Sequence, residues 1–332
     1  MAFEKYSINY TGGAHGHFLD HACNYIFFKQ VSDPDQYVTI NGTYHNDDPK
    51  LDRQFKNFPF WWVMPGAWLV PTLELPKIPY VLEKTVINIS SKSLEEMTLL
   101  RMYWRRRGDG FCSSPNELLN TTKQQLTDKI NSVKYLKRWP AVEAMAQFMR
   151  DLLTRNALNL YKTDTYMLTE MDVIRFWINP IHPHRYTDYD TLIYKSIEFI
   201  EYIKPTHNVI EFEMKWFYNP EEFLSGIKML GRKLELEQQV PDQEIIDMVK
   251  KLPDNIHEFP THLALVREQF EAIKQYKSVD LTMLELNDKI ALLNMINIEF
   301  KLWSGDYQHL IEFPDTSDQL VEIIKNKVKT VR

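Results

Sequence analysis

The sequence predicts an α/β fold with a parallel central sheet and large helical additions. Three β-prone runs are each followed by a turn and a helical pattern, and they begin near residues 6, 85 and 209. Strands that alternate with helices favour a parallel sheet covered by helices. We therefore expect one α/β domain over residues 1–332, with a helical insertion at about 114–205 and a helical C-terminal part at about 241–332.

Composition and charge restrict the class of protein. Of the 332 residues, 44% are hydrophobic and 25% are charged, which is typical of a globular protein. The net charge of −6 argues against a nucleic-acid partner, and no apolar run is long enough to span a bilayer. The N-terminus lacks a signal-peptide pattern, and the cysteines are Cys23 and Cys112 alone. The sequence thus predicts a cytoplasmic protein without a membrane partner, a disulfide framework or a cysteine zinc site.

The first strand-to-helix unit contains the strongest local signal. A strand is predicted at Tyr6–Tyr10, and helical spacing of apolar residues begins at Phe18. Glycine is scarce in the chain but clusters between these two elements. Glycine permits close approach of the backbone, and the N–H groups of a helix start suit a phosphate or sulfate. The predicted anion loop consists of Gly12, Gly13, Ala14, His15, Gly16, His17 and Phe18.

One other interpretation of this loop stays open, and a second is disfavoured. Its glycines are also compatible with a turn that only packs the helix against the strand. The Gly-Lys-Ser/Thr ending of the usual nucleotide-binding loop is missing, which argues against a magnesium-dependent NTPase.

The second unit has a strand at Thr85–Ile89 and a helix that starts with a capping box. Ser93 is the predicted N-cap residue, Glu96 completes the box, and the helix is predicted to stop at Gly108.

The third unit has an alternating strand at Val209–Met214. Asn219 and Pro220 predict the next helix start, and Gly231 is predicted to end that helix.

The remaining pattern is mainly helical. Helices are predicted at about 115–136, 140–162, 169–178, 188–203, 241–251, 261–277, 286–303 and 315–329. A turn is predicted within residues 37–44. The stretch 57–80, rich in proline and tryptophan, is predicted to be irregular because its prolines exclude a long helix.

Three histidines lie in or beside the anion loop: His15, His17 and His21. A histidine is the side chain whose ordinary pKa suits a general base at neutral pH. His17 and His21 also have the i, i+4 spacing of metal ligands, but no H-E-x-x-H pattern is present and no metal is predicted. The third interpretation is that they are ordinary polar residues at a helix start.

Together these units resemble the sulfotransferase family, whose fold is a P-loop-like three-layer α/β/α arrangement, and especially divergent members from marine phages and bacteria. Tyr6–Asn24 is similar to the loop that holds the 5′-phosphosulfate of the donor PAPS. Thr85–Glu96 is similar to the strand and helix that grip the donor's 3′-phosphate. His207–Leu230 resembles the family's late strand and Asn/Asp-Pro helix start.

The resemblance implies transfer of a sulfuryl group from PAPS to a hydroxyl of a small molecule or glycan, without a metal. It implies that the anion loop binds the donor together with Ser90, Ser91 and Lys92. His17 is the first choice for the base, with His15 as a donor in place of a loop lysine and His21 as the remaining candidate.

The chain departs from the family's pattern in ways that leave alternatives open. The loop has no lysine, and Ser91 stands near the position of the family's strand-end arginine. A catalytically silent binding or virion-associated protein with the same fold is the second hypothesis. A nucleotide or sugar kinase is the third. A homodimer also stays open, with the tail at about 241–332 as a dimer surface or a cap.

Overall fold

The computed structural model describes residues 5–10, 15–30, 59–63, 82–108, 114–122, 124–125, 127–128, 168–178, 189–252, 263–302 and 304–331. The strands are β1 (Tyr6–Asn9), β2 (Phe60–Val63), β3 (Thr85–Ser90) and β4 (Asn208–Glu213). The helices are α1 (Gly16–Phe28), α2 (Leu94–Gly108), α3 (Pro115–Leu119), α4 (Glu170–Ile178), α5 (Tyr189–Ile203), α6 (Pro220–Leu234), α7 (Asp242–Lys250), α8 (Leu263–Lys274), α9 (Leu286–Phe300) and α10 (Asp318–Val331). Short 3₁₀ helices occur at Met214–Tyr218 and Ser304–Tyr307.

The four strands form a parallel sheet in the order β2-β1-β3-β4. The predicted α/β class is confirmed, with a parallel sheet and many helices. The prediction that the strands near 6–10, 85–89 and 209–214 are parallel neighbours is also confirmed, because β1 pairs with β3 and β3 pairs with β4.

Strand β2 corrects the prediction of an irregular stretch over 57–80 at residues 60–63, and residues 57–58 and 64–80 lie outside the described part. Phe60 is fully buried, and its ring stacks on Tyr6 at 4.8 Å between ring centroids. The side-chain amide of Asn24 on α1 donates to the Phe60 carbonyl (2.9 Å) and accepts from the Phe60 N–H (3.0 Å). The strand therefore depends on partners distant in the chain. The prolines near β2 did not predict this strand.

The chain divides into two compact units, one of Met1–Glu96 with Thr191–Phe259 and one of Met97–Asp190 with Pro260–Arg332. The first unit contains the sheet. On one face of the sheet, Val86 and Val209 pack with residues of α5, namely Phe199, Ile200 and Ile203. On the other face, Phe212 packs against the rings of Phe217 and Phe223.

The second unit is helical in its described part. Its largest fully buried side chains include Phe176, Trp177 and Phe270. Asn297 on α9 donates to the Ile178 carbonyl at the end of α4 (3.3 Å), which ties these two helices together.

Helix α6 continues past its predicted end at Gly231, and this prediction was wrong. Gly231 lies inside the helix, where a Cβ would meet the Phe27 ring and the Leu236 carbonyl at 3.0 Å. The glycine therefore serves close packing against α1. The helix ends at Leu234, and the C-cap residue Glu235 adopts the left-handed conformation with φ 55°.

Most other predicted helices are present with ends shifted by a few residues, as in α4, α5, α7, α8, α9 and α10. The predicted helix at 140–162, the turn at 37–44 and most of the helix at 115–136 lie outside the described residues. In the described part of the chain, no helix is long and apolar enough to cross a membrane.

Candidate functional site

The order of the strands reverses between β1 and β3. From β1 the chain first adds β2 on one side, and it later adds β3 and β4 on the other side. In open parallel sheets, ligands bind outside the carboxyl ends of the strands at such a reversal. The segments that leave these two strands are residues 10–15 and 91–93. These are the two segments that the sequence predicted to hold an anion.

A row of polar side chains crosses three strands near their carboxyl ends. Asn9, Asn88 and Glu211 are register partners in β1, β3 and β4. The Asn9 amide donates to Asn88 Oδ1 (2.7 Å), and the Asn88 amide donates to Glu211 Oε2 (2.6 Å). Both asparagines are buried, and these hydrogen bonds offset the cost of removing their amides from water. Among the described residues, Asn9 Oδ1 has no hydrogen-bond partner.

Lys92 extends this polar row toward solvent. Its Nζ donates to Glu211 Oε1 (3.1 Å) and lies 3.7 Å from Glu201 of α5, which also pairs with Lys204. The Lys92 side chain is 36% exposed, so it is accessible to a ligand. A ligand anion must nevertheless compete with two carboxylates for this ammonium group.

The start of α2 is fixed by the predicted capping box, which is confirmed. Glu96 Oε2 accepts from the Ser93 N–H, and Ser93 Oγ accepts from the Glu96 N–H. The other oxygen of Glu96 accepts from the Met214 N–H, directly after β4 (3.0 Å). Burial raises the pKa of Glu96 above its ordinary value. Ser90 and Ser91, which precede this box, are both buried.

Two predicted loop residues pack against the aromatic 3₁₀ helix that follows β4. His15 adopts a left-handed conformation with φ 58°. The centroid of its ring lies 5.1 Å from that of the Phe217 ring. His15 Nε2 is 3.5 Å from the Tyr218 hydroxyl. The Phe18 ring contacts Phe217 and Phe223. His15 is therefore a buried neighbour of the aromatic cluster at the start of α1.

Gly16 is required by close packing at the first residue of α1. A Cβ at this position would lie 2.0–2.2 Å from atoms of the Tyr10 ring, which covers the start of the helix. The packing interpretation of this glycine is therefore supported directly. It does not depend on whether an anion binds to the loop.

We expect Gly16→Ala to lower the unfolding free energy by about 1–3 kcal/mol, because the added methyl group overpacks the Tyr10 ring. Urea unfolding measures the change. Gly305→Ala is the control, since its Cβ would meet its nearest neighbour at 3.7 Å. Adding Tyr10→Leu should recover part of the loss. Equal effects of Gly16→Ala and Gly305→Ala would contradict this packing role.

His21 is buried one turn further along α1. Desolvation lowers its pKa from 6.5 to about 4, so the imidazole is neutral at physiological pH. The neighbouring Asp20 is also buried, and desolvation raises the pKa of its carboxyl well above the ordinary value, although Asn24 donates a hydrogen bond to it. A base with a pKa near 7 is the efficient one at neutral pH, so His21 is poorly suited to that role.

Several predicted site residues are outside the described part. They are Gly12, Gly13 and Ala14, together with the side chain of His17, whose backbone lies in the first turn of α1. In the described residues, no group of three or more His, Cys, Asp or Glu side chains is arranged to hold a metal.

Asn9, Asn88 and Glu211 were not predicted from the sequence as site residues. Their signal was a polar residue within each of three predicted strands, and only the strand register shows that the three lie at one level. In comparisons with known proteins, the chain matches no family model, no curated protein and no solved structure.

Proposed function

We propose that the chain binds a PAPS-type nucleotide donor at the carboxyl ends of β1 and β3 and transfers its sulfuryl group to a hydroxyl of a small molecule or glycan. One observation carries this proposal: the two predicted donor segments leave adjacent parallel strands at the reversal of strand order. Anions are favoured there because α1 begins at this edge and has no acidic residue in its first turn.

A P-loop-like three-layer architecture is part of the proposal. It is supported by the packing of helices on both faces of the sheet. Helix α5 lies against Val86 and Val209, whereas α6 carries Phe223 onto the opposite face beside Phe212. Such covering of both faces is typical of parallel sheets.

Lys92 is the proposed ligand for a donor phosphate. It directly follows the buried Ser90 and Ser91, and its ammonium group is partly exposed. On binding, the ammonium group would exchange the Glu211 carboxylate for a phosphate oxygen. Glu211 keeps its hydrogen bond from Asn88 during this exchange, so the polar row stays intact.

A catalytically silent binding protein is the second candidate. It is favoured by the ion pairs that already neutralise Lys92 and by the low pKa of His21. Both features reduce catalytic power but still permit donor binding. Binding and turnover must therefore be measured separately.

We expect the transfer product 3′,5′-diphosphoadenosine to raise the midpoint of thermal unfolding, since a ligand at about 100 times its Kd stabilises a protein by about 2.7 kcal/mol. Lys92→Ala should weaken this binding roughly tenfold or more, because a charge-assisted hydrogen bond is lost. Glu211→Gln should strengthen it, since the competing carboxylate is removed.

Lys228→Ala is the matched control, because Lys228 pairs with Asp242 and not with the carboxylates beside Lys92. It should leave the affinity close to that of the wild type. Binding without turnover on any hydroxyl acceptor would select the silent protein. The absence of any shift with the diphosphate would contradict both candidates.

A further inference from the structure

A groove with a volume of about 970 Å³ lies in the second unit. One wall is the segment 306–315, and the other is the helix α10. We call it the α10 groove. None of the residues in the proposed donor site lines it, so it is independent of the proposed function.

The groove presents an apolar strip. Ile311 is 85% exposed, the highest exposure among the large hydrophobic side chains of the described residues. Phe313 and Ile323 are half-buried and also line the groove. A partner that covers Ile311 would therefore remove a large apolar side chain from water.

The segment that carries Ile311 is held on both sides. Before it, Leu310 is buried, and Arg175 of α4 donates to the carbonyl oxygens of Gln308 and Leu310. After it, the Leu281 N–H donates to the Asp315 carbonyl (2.7 Å). Because these contacts within the unit hold the backbone on both sides of Ile311, little conformational entropy is lost when a partner binds.

The rim of the groove is acidic. Four carboxylates line it, from Asp306, Glu312, Asp315 and Glu322. The single lysine of the lining, Lys327, lies 3.6 Å from Asp306, which offsets its charge. The excess of negative charge favours a cationic partner and disfavours nucleic acids and anionic membranes.

We propose that the α10 groove binds a basic amphipathic peptide segment of a partner protein. Its apolar residues cover Ile311 and Phe313, and its lysines or arginines face Glu312 and Glu322. The combination of an exposed apolar strip with an acidic rim selects this occupant, because an apolar patch alone does not discriminate and a charged rim alone binds weakly.

Fluorescence anisotropy with the full chain tests this proposal. Three labelled peptides of equal length serve as probes, with alternating leucine and lysine, leucine and glutamate, or serine and lysine. We expect saturable binding of the leucine–lysine peptide, weaker at high salt. We expect much weaker binding of the other two. Ile311→Ser should weaken binding about tenfold or more, since a buried aliphatic contact is lost.

Two controls match the two features of the groove. Met283→Ser removes an apolar side chain that is 75% exposed but lies outside the groove, and it should leave the affinity unchanged. Glu322→Lys should weaken binding, whereas Glu268→Lys on the exposed side of α8 should not. Urea unfolding confirms that every variant is folded.

Three results would overturn the proposal. The first is equal loss with Met283→Ser and Ile311→Ser, which means non-specific adhesion. The second is the absence of saturable binding, or equal binding of the leucine–glutamate peptide. The third is a wild-type dimer in solution that Ile311→Ser dissociates, because the occupant is then a second copy of this chain.

Discussion

Between pH 6.5 and about 4, the wild-type chain is expected to lose about 3 kcal/mol of unfolding free energy relative to a His21→Gln variant. In the unfolded chain, the imidazole of His21 takes up a proton as the pH falls below 6.5. In the folded chain, desolvation keeps it neutral until about pH 4. The unfolded state therefore binds more protons across this interval. The contribution of the neutral His21 imidazole to the unfolding free energy is therefore fully present above pH 6.5, and it is lost as the pH falls toward about 4.

The difference between the two proteins isolates His21 from its neighbour. Asp20 has a raised pKa, so in its own interval the folded state binds more protons and its effect on stability has the opposite sign. Because Asp20 is present in both proteins, its contribution largely cancels.

Urea unfolding at a series of pH values measures this difference. Repeating the comparison in an Asp20→Asn background is the control. The difference should persist there, because desolvation is the cause of the shift in the histidine pKa. A difference between wild type and His21→Gln that is constant across the interval would contradict the burial of an uncharged imidazole.

The sheet was predictable to the extent that its strands have local signals. The runs at β1, β3 and β4 are β-prone and are followed by turns and helices, so their existence and parallel direction follow from the sequence. Strand β2 is different, since its pairing depends on the free edge of β1 and on the side-chain amide of Asn24, which lies 36 residues before Phe60. Such long-range hydrogen bonds leave no periodic pattern.

Glycines show why local signals mislead. Gly231 has the sequence pattern of a helix end, but it lies in the interior of α6, where a Cβ would meet the Phe27 ring at 3.0 Å. Gly16 likewise meets the ring of Tyr10. Each of these two glycines marks the close approach of another group. The sequence does not say whether that group is an anion, a ring or a carbonyl.

The loop segments of the candidate site were predicted from the sequence, whereas its polar side chains on the strands were not. The segments after β1 and β3 follow from the strand-to-helix pattern. The polar row of Asn9, Asn88 and Glu211 depends on register, which sets residues from three distant stretches at one level. Lys92 was predicted as a donor ligand, but its pairing with Glu211 and Glu201 was not predictable from its position in the chain.

The largest expected effect on activity concerns the three histidines at the start of α1 and within it, His15, His17 and His21. In the proposed transfer, the acceptor hydroxyl oxygen attacks the sulfur atom, the bond from sulfur to the donor phosphate oxygen breaks, and the hydroxyl proton passes to a base. His21 is a poor base because its pKa is about 4, and His15 packs against Phe217 beside Tyr218. His17, in the first turn of α1, therefore remains our first choice.

His17→Ala is expected to lower the rate of sulfuryl transfer from PAPS by about 10²–10⁴-fold, the usual effect of removing a general base. The rate is measured on a panel of sugars and phenols, with donor affinity determined in parallel. His21→Gln is the matched control, because it replaces a histidine on the same helix that stays neutral at the assay pH. His21→Gln should leave the pH dependence of the rate unchanged. His17→Ala should abolish the limb of the pH–rate profile that reflects deprotonation of the base. Turnover in His17→Ala at the wild-type rate would exclude His17 as the base. Turnover that survives substitution of His15, His17 and His21 would exclude the histidine mechanism while retaining the enzyme. Donor binding without turnover in the wild type would select the silent protein.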